Sequence, residues 1–451
     1  MLNRTARRGV ALAATLAVAF AAPVNADAAS KSRVTQQRTG QVAIDFLGNR
    51  IDKAAKSAHL TPAKLKETLR HDKTLKVDDN GQLLYVEPQH SGTSTITDSV
   101  TTPVYATSST FALHSRSSSP MKIYLDFNGH TTSGTRWNTN FKSGAAFSTP
   151  AFDRDGYPGS FSSYEHAIIQ AVWLSVREDF APFNVDVTTQ DPGYEGLRYS
   201  GSGDTAYGVR VVIGPNTWYP YSAGGVGYLD TFGNSDTPVY VFTNTSSGAK
   251  FISEASSHET GHAFGLSHDG TTAGVQYYAG HGTWAPIMGT SYGRPVSQWS
   301  RGEYAGANNT QDDLGLIARY TGWSADEYAG NTSTTGTLPA GTARYAAVNW
   351  TGDVDGYKFS LTGSRRLTIN TWHNTGPVDP NVNMRMTLRN SAGTVIATSS
   401  PAGDLRTSMT VTLGAGTYYV YVDGVGEGSA YNTGWSSYAS NGYYGIWLNW
   451  A

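Results

Sequence analysis

The 451-residue sequence contains no cysteine, which excludes disulfide bonds, so folding must rely on core packing, a metal or both. Charged residues are few, at 15% of the chain, and the 33 basic residues nearly balance the 35 acidic ones. This balance argues against a nucleic-acid or membrane-surface partner. After residue 29, the sequence has no apolar run long enough for a transmembrane helix. Histidine is also scarce, with 11 residues, so a close group of histidines is informative.

The N-terminus has the pattern of a signal peptide. Three arginines precede an apolar run over residues 9–22 that is too short to span a bilayer, and Ala26 and Ala28 form a small-x-small cleavage pattern. We predict that residues 1–28 are removed. The 50 glycines, 27 tyrosines and 11 tryptophans are typical of a strand- and turn-rich secreted protein. The mature chain is therefore expected to be extracellular, monomeric and free of the membrane.

Residues 258–269, HETGHAFGLSHD, carry the strongest chemical signal. On a helix, His258 and His262 project from one face and can bind one ion, with Glu259 close to that ion. Gly265 can adopt positive φ, end the helix and turn the chain so that His268 becomes a third nitrogen ligand. Three protein ligands leave one position open, as in catalytic zinc sites. We predict a site for one zinc ion.

This pattern resembles the extended zinc signature of the metzincin metallopeptidases, and Asp269 after the third histidine resembles their reprolysin branch. Met288, twenty residues beyond His268, fits the methionine turn of that family. Serralysins and astacins place a tyrosine two residues after this methionine, whereas here Tyr292 follows it by four. The resemblance implies an α+β catalytic domain over residues 116–325, with a twisted mixed sheet, a long helix, the zinc helix and the methionine turn.

Residues 29–115 are predicted to form a propeptide and linker, as the resemblance implies. A helix over 63–70 begins at Thr61-Pro62, a hairpin joins 74–77 to 82–86, and the Ser/Thr-rich segment 91–119 is expected to be an exposed linker. Simple steric cover could inhibit the enzyme. Alternatively, a side chain could block the zinc, and the candidates are Asp72, Asp78, Asp79 and His90.

Within the predicted catalytic domain, strands are expected at 122–127, 184–188, 209–213 and 239–242, and a long helix begins at the capping box Ser162–Glu165. Residues 224–229 are predicted to form an edge strand that either pairs with extended substrate or is a plain glycine-rich edge. A final helix over 311–320 is expected to be capped by Thr310. Predicted substrate-binding residues are Gly225, Val226, Gly227, Tyr292 and Arg294.

The segment 153–156, Asp-Arg-Asp-Gly, could bind calcium, but such a sequence is more often a turn. His130, His166 and His281 are expected to be hydrogen-bonded or surface residues rather than ligands of a second metal.

Residues 326–340 are predicted to be a linker and 341–451 an all-β sandwich. Beyond the linker, alternating runs are separated by turn residues, at 357–361, 367–371, 384–388, 394–397, 409–413, 418–422 and 444–450. The phrase DGYKF at 355–359 and the run GTYYVYV at 416–422 resemble the bacterial pre-peptidase C-terminal domain, a sandwich that follows many secreted peptidases.

Together these features predict a secreted zinc metalloendopeptidase that hydrolyses peptide bonds of extracellular proteins. Zinc held by His258, His262 and His268 would polarise the scissile carbonyl and activate a water, with Glu259 as general base. Met288 would support the ligands by packing. The alternative is a catalytically inactive protein of metallopeptidase fold that acts through binding by its C-terminal sandwich.

Overall fold

The computed structural model describes residues 35–89, 100–234, 237–332, 335–374 and 380–450. The predicted signal peptide lies outside these residues. Within them, the chain forms a seven-stranded mixed sheet with helices and, at its C-terminal end, two packed sheets that are antiparallel except for one short parallel pair.

The N-terminal part consists of three short helices and a hairpin, which share a small apolar core. The Thr61 side chain accepts a hydrogen bond from Lys64 N and caps the third helix, so the predicted helix start is confirmed. The hairpin pairs as predicted, with Leu75 opposite Tyr85. The elements are α1 Gly40–Leu47, α2 Ile51–Ser57, α3 Pro62–His71, β1 Leu75–Val77 and β2 Leu83–Glu87.

The same sheet continues into the central part of the chain. Its order is β1-β2-β8-β9-β7-β3-β6, in which β3, β6, β7 and β9 are parallel and β8 is antiparallel to both of its neighbours. The prediction that residues 224–229 form an edge strand is therefore wrong, because β2 covers that edge. The strands, including a separate β4–β5 pair, are β3 Lys122–Asp126, β4 His130–Thr132, β5 Phe147–Thr149, β6 Asp186–Thr188, β7 Gly208–Gly214, β8 Gly225–Tyr228 and β9 Val239–Phe242.

Two long helices pack beside this sheet. The predicted capping box between Ser162 and Glu165 is present and begins the first of them. The final helix is capped by Asp312, whose side chain accepts from Gly315 N, and not by Thr310 as expected. The remaining elements up to this helix are α4 Arg136–Phe141, α5 Ser163–Asp179, α6 Ala249–Ala263, β10 Trp284–Pro286, β11 Val296–Gln298 and α7 Asp313–Thr321.

Both predicted linkers are more ordered than expected. Residues 90–99 of the first lie outside the described residues, but Val100 and Leu113 are buried in the core between the sheet and α5. In the second, Leu338 is fully buried in the sandwich core, next to a short strand. Apolar side chains within these polar segments explain the difference, since each finds a place in a neighbouring core.

The C-terminal part confirms the predicted strands. One sheet has the order β12-β14-β19-β16-β17 and the other β13-β20-β15-β18, and a single apolar core lies between them. Sequence reasoning missed β12 and β13. The strands are β12 Gly336–Thr337, β13 Arg344–Val348, β14 Val354–Leu361, β15 Arg365–His373, β16 Met384–Asn390, β17 Val395–Ser399, β18 Ser408–Leu413, β19 Gly416–Gly424 and β20 Gly442–Trp450.

The sandwich contacts the central part through buried polar groups. The carboxylate of Asp179, at the end of α5, accepts a hydrogen bond of 2.7 Å from the side chain of Asn381. The Glu178 carboxylate accepts one of 2.9 Å from the backbone N–H of Tyr443. Because these acceptors are deeply buried, separating the two parts would leave them without these partners. Among the described helices, none combines the length and apolar character that crossing a bilayer requires.

Candidate active site

Helix α6 places His258 and His262 one turn apart, with both rings buried. His258 Nδ1 lies 2.8 Å from the carbonyl oxygen of Ile287, and His262 Nδ1 lies 2.9 Å from that of Leu266. When Nδ1–H donates to a carbonyl, the lone pair of Nε2 is left for a metal. Both Nε2 atoms are buried and have no hydrogen-bond partner within the described part of the chain. This arrangement is the one that a metal-binding imidazole needs.

The turn after α6 brings in the third histidine. Gly265 has φ +85°, its N–H donates to the carbonyl of His262 at 2.8 Å, and Leu266 N–H donates to that of Gly261 at 3.0 Å. These two bonds form a Schellman motif, which requires a residue with positive φ. The chain then returns, and the ring of His268 lies 5.2 Å from that of His258 and 5.0 Å from that of His262. The structure thus brings the three predicted ligands together.

Glu259 follows His258 on α6, is almost completely buried, and directs its carboxylate at Gly225 and Gly227 of β8. Neither of its carboxylate oxygens has a hydrogen-bond partner among the described residues. Burial, and then the charge of Glu87, raise the pKa of Glu259 well above its usual range. A buried carboxylate without a donor is costly in a purely structural position, so this geometry fits a group that acts on a bound molecule.

A fourth group at this centre was missed by sequence reasoning. Glu87, the last residue of β2, lies with its carboxylate 3.1 Å from His268 Nε2, 3.5 Å from His262 Nε2 and 3.7 Å from His258 Nε2. Burial would raise the pKa of Glu87, but the surrounding imidazoles hold it well below its usual range. The sequence contains a signal for this residue. Leu83, Tyr85 and Glu87 alternate along the strand and share one face, so Glu87 places a charged side chain on the face that also buries Leu83 and Tyr85.

The donor set fits zinc. One atom from each of Glu87, His258, His262 and His268 lies within 4.8 Å of the others. Imidazole nitrogens and carboxylate oxygens are both common zinc ligands in tetrahedral sites. Burial would lower the pKa of His268, but the carboxylates of Glu87 and Asp72 outweigh it and raise this pKa to about 10. The centre therefore attracts positive charge.

Met288 lies under the ligands in a tight turn. Its side chain is fully buried, and the backbone N–H of Asp269 donates to its carbonyl oxygen at 2.8 Å. The preceding residue, Ile287, provides the carbonyl that binds His258. The predicted methionine turn thus contacts the segments that carry the first and third histidines.

The predicted substrate-binding residues have different environments. Gly225, Val226 and Gly227 form β8 next to Glu259, while β2 occupies the outer side of that strand. Tyr292 packs against Phe251 with ring centroids 5.3 Å apart, and burial, followed by the charges of Glu87, Glu254 and Glu259, raises its pKa. Arg294 instead donates to the carbonyls of the neighbouring loop, at Ala279, Gly280 and Gly282. Its expected contact with substrate has no support in this arrangement.

Among the proposed blocking residues, Asp72 alone contacts a zinc-ligand histidine in the described residues. Its carboxylate accepts from His268 Nδ1 at 2.8 Å, on the side of the ring away from the centre. Asp78 is bound by backbone N–H groups of its own turn and by Asn140. Asp79 pairs with Arg38 on the surface, and His90 lies outside the described residues.

The segment considered for calcium binding and the three spare histidines have contacts away from this centre. Asp153 accepts from the N–H groups of Asp155 and Gly156, as in a turn, although its carboxylate lies near those of Asp155 and Glu165. Calcium binding there stays a prediction. The spare histidines have other neighbours: His130 lies near Asp126, His166 contacts Thr110, and His281 contacts Tyr278.

Comparison with known proteins identifies the sandwich. Residues 353–424 match the family described as the bacterial pre-peptidase C-terminal domain, as the resemblance of residues 355–359 and 416–422 implies. A comparison with curated proteins found no match. The pre-peptidase C-terminal domain of a collagenase from Bacillus anthracis is 17% identical, with 25% of this chain and 93% of that chain covered and a TM-score of 0.19. A periplasmic inhibitor of g-type lysozyme, PliG from Aeromonas hydrophila, is 11% identical, with 26% and 97% covered and a TM-score of 0.18.

The pre-peptidase C-terminal domain is typical of secreted bacterial peptidases. The sandwich thus indicates a secreted peptidase, and the buried histidine centre is chemically consistent with that class. The centre itself lies outside residues 353–424.

Proposed function

We propose that this chain is the precursor of a secreted zinc-dependent endopeptidase of the metzincin type. The observation that carries the proposal is the convergence of His258, His262 and His268 on one buried point beside the unpartnered carboxylate of Glu259. A structural role would satisfy these polar atoms within the protein, whereas a metal and a substrate satisfy them from outside.

Each residue has a distinct task in this proposal. The three histidines hold the ion, and their Nδ1 contacts fix the ring orientation. Bound zinc supplies Lewis acidity toward the scissile carbonyl and the attacking water. Glu259 accepts the proton of that water and passes it to the leaving amine, so the chain needs no covalent intermediate.

The C-terminal domain supports the coarser part of this proposal, a secreted peptidase, independently of the zinc centre, because it is typical of secreted bacterial peptidases. Extracellular proteins or peptides are the proposed substrates.

The test is cleavage of casein by secreted protein, with the N-terminal part removed from every variant by an added protease, comparing the unmodified sequence with Glu259→Ala and with the control Glu195→Ala. Glu195 has a side chain that is 72% exposed, so its loss should leave activity intact. The unmodified protein and the control should cleave casein, lose activity with a zinc chelator and regain it with added zinc. Glu259→Ala should bind zinc equally, measured as metal content, yet lose most activity.

Substantial cleavage by a clean Glu259→Ala preparation would refute the general-base assignment. No cleavage by processed, zinc-loaded protein would overturn the proposed activity and favour a binding protein that acts through the sandwich.

A further inference from the structure

We infer that Glu87 is a fourth ligand of the same metal in the uncleaved chain and that β2 lies where extended substrate would pair, so residues 35–89 keep the enzyme latent. This inference rests on the proposed function. It differs from the four blocking residues expected from the sequence: Asp72, Asp78 and Asp79 lie away from the point where the histidines converge, and His90 lies outside the described residues.

The first argument is the position of β2 in the sheet. It runs antiparallel along β8, with Tyr85 opposite Gly227 and Glu87 opposite Gly225. On its other side β8 pairs with β9, so β2 occupies the one edge at which a substrate strand could pair with β8. An added strand positions its own peptide groups beside Glu259, because β8 contacts that carboxylate through Gly225 and Gly227.

The second argument is how firmly this strand is held against the histidines. The ring of Tyr85 stacks on that of His262 with centroids 4.2 Å apart, and its centroid lies 4.0 Å from that of His268. Tyr85 is fully buried. Asp72, just before the hairpin, binds the far side of the His268 ring. The N-terminal part thus contacts the centre through a strand, an aromatic ring and two carboxylates.

The third argument distinguishes a metal ligand from a simple ion pair. His258 and His262 direct Nδ1 at backbone carbonyls, so their Nε2 atoms face Glu87 as hydrogen-bond acceptors. Carboxylate oxygens are also acceptors, and acceptors 3.5–3.7 Å apart repel each other unless a cation lies between them. One divalent ion satisfies all four groups at once.

The consequence is that the uncleaved enzyme is inactive because Glu87 occupies a coordination position of the metal. While Glu87 is bound, it takes the coordination position that catalysis needs open. Removal of the N-terminal part would free both that position and the β8 edge in a single step.

The test uses the full-length Glu259→Ala protein, which cannot process itself, loaded with cobalt(II) in place of zinc. The visible absorption of cobalt(II) depends on the number and type of its ligands. We expect Glu87→Gln to change this spectrum and to strengthen the binding of acetohydroxamic acid, measured by titration, by about tenfold or more, since a competing ligand has been weakened. The control Glu67→Gln, on the exposed side of α3, should change neither.

A second variant covers the case in which Glu87→Gln does not fold, as judged by circular dichroism. Glu87→Asp keeps the charge but shortens the side chain by one methylene. It should also change the cobalt spectrum, whereas an ion pair without coordination would leave it unaltered.

The outcomes separate this inference from the proposed function. Cobalt bound with the same spectrum and the same hydroxamate affinity in both Glu87 variants would overturn the inference and leave the zinc peptidase intact. Failure of the full-length protein to bind cobalt at all would overturn both.

Discussion

Gly225 and Glu259 approach each other so closely that a Cβ at position 225 would lie 1.9 Å from Oε1 of the carboxylate. At position 227 a Cβ would lie 2.8 Å from Oε2 of the same group. The glycines of β8 therefore leave room for the carboxylate of the proposed general base.

The first prediction follows from this contact. Gly225→Ala should displace the Glu259 carboxylate and lower kcat/KM of the processed enzyme by about 100-fold, because small displacements of a catalytic group have large effects on rate. Zinc content should not change. The measurement is steady-state cleavage of a peptide substrate with metal analysis of the same samples.

The matched control is Gly159→Ala, since a Cβ at position 159 would meet no atom within 4 Å. It should keep full activity. Wild-type rates in Gly225→Ala would show that the carboxylate has more freedom than the structure indicates.

The second prediction concerns Tyr277, which sequence reasoning did not identify. Its hydroxyl donates to Glu87 Oε2 at 2.6 Å, and its ring centroid lies 4.4 Å from that of His268. In the processed enzyme, a substrate carbonyl oxygen that takes the place of the Glu87 oxygen would meet the same donor. Tyr277→Phe should therefore lower kcat by about 100-fold with little change in KM, as for the loss of one donor to a developing oxyanion.

Parallel kinetics of Tyr157→Phe provide the comparison, because Tyr157 is 72% exposed and should be silent. If Tyr277→Phe raised KM and left kcat unchanged, the tyrosine would bind substrate without stabilising the transition state.

The third prediction assigns Met288 to packing. A Cβ at position 261 would lie 2.5 Å from the Met288 sulfur, so the thioether rests directly on the helix that carries two ligands. Met288→Ala should lower the free energy of unfolding by about 2–5 kcal/mol, the range for deleting a large buried side chain. Urea unfolding in the Glu259→Ala background measures this loss. A fully stable variant with much reduced zinc affinity would instead give Met288 an electronic role.

The zinc helix and its turn could be predicted from the sequence because every contact that shapes them is local. His258, His262 and Gly265 are set by helical spacing and by the φ preference of glycine. The strands of the sandwich were predictable for the same reason, since alternation along each run decides which side chains are buried.

Long-range neighbours could not be predicted in this way. Glu87 and His268 are 181 residues apart, and no pattern near either one indicates the other. β8 lies inside the sheet because β2 pairs with it. The sequence places β2 in a hairpin of the predicted propeptide, and nothing near that hairpin indicates that it pairs with β8. Arg294 shows the same limit: its charge suggested substrate contact, but backbone carbonyls folded around it satisfy its donors.

The last prediction concerns Glu178 at the contact with the sandwich. Burial raises the pKa of Glu178 from 4.5 to about 7, although the N–H groups of Tyr443 and Asn381 oppose the shift. A carboxyl whose pKa is higher in the folded protein favours folding while it is protonated, so this contribution is present below about pH 4.5 and is lost as pH rises through about 7. The shift corresponds to roughly 3 kcal/mol.

Glu178→Gln cannot ionise at this position. In the Glu259→Ala background, the free energy of unfolding of this variant should therefore decrease less between pH 5 and pH 8 than that of the parent. The two decreases should differ by up to about 3 kcal/mol. Urea unfolding monitored by tryptophan fluorescence at both pH values measures the difference. The exposed control Glu195→Gln should follow the parent at both. Should Glu178→Gln lose as much stability as the parent, the carboxylate must gain enough from the two N–H donors to stay ionised in the folded protein, and the sandwich would then be held by a charged rather than a neutral contact.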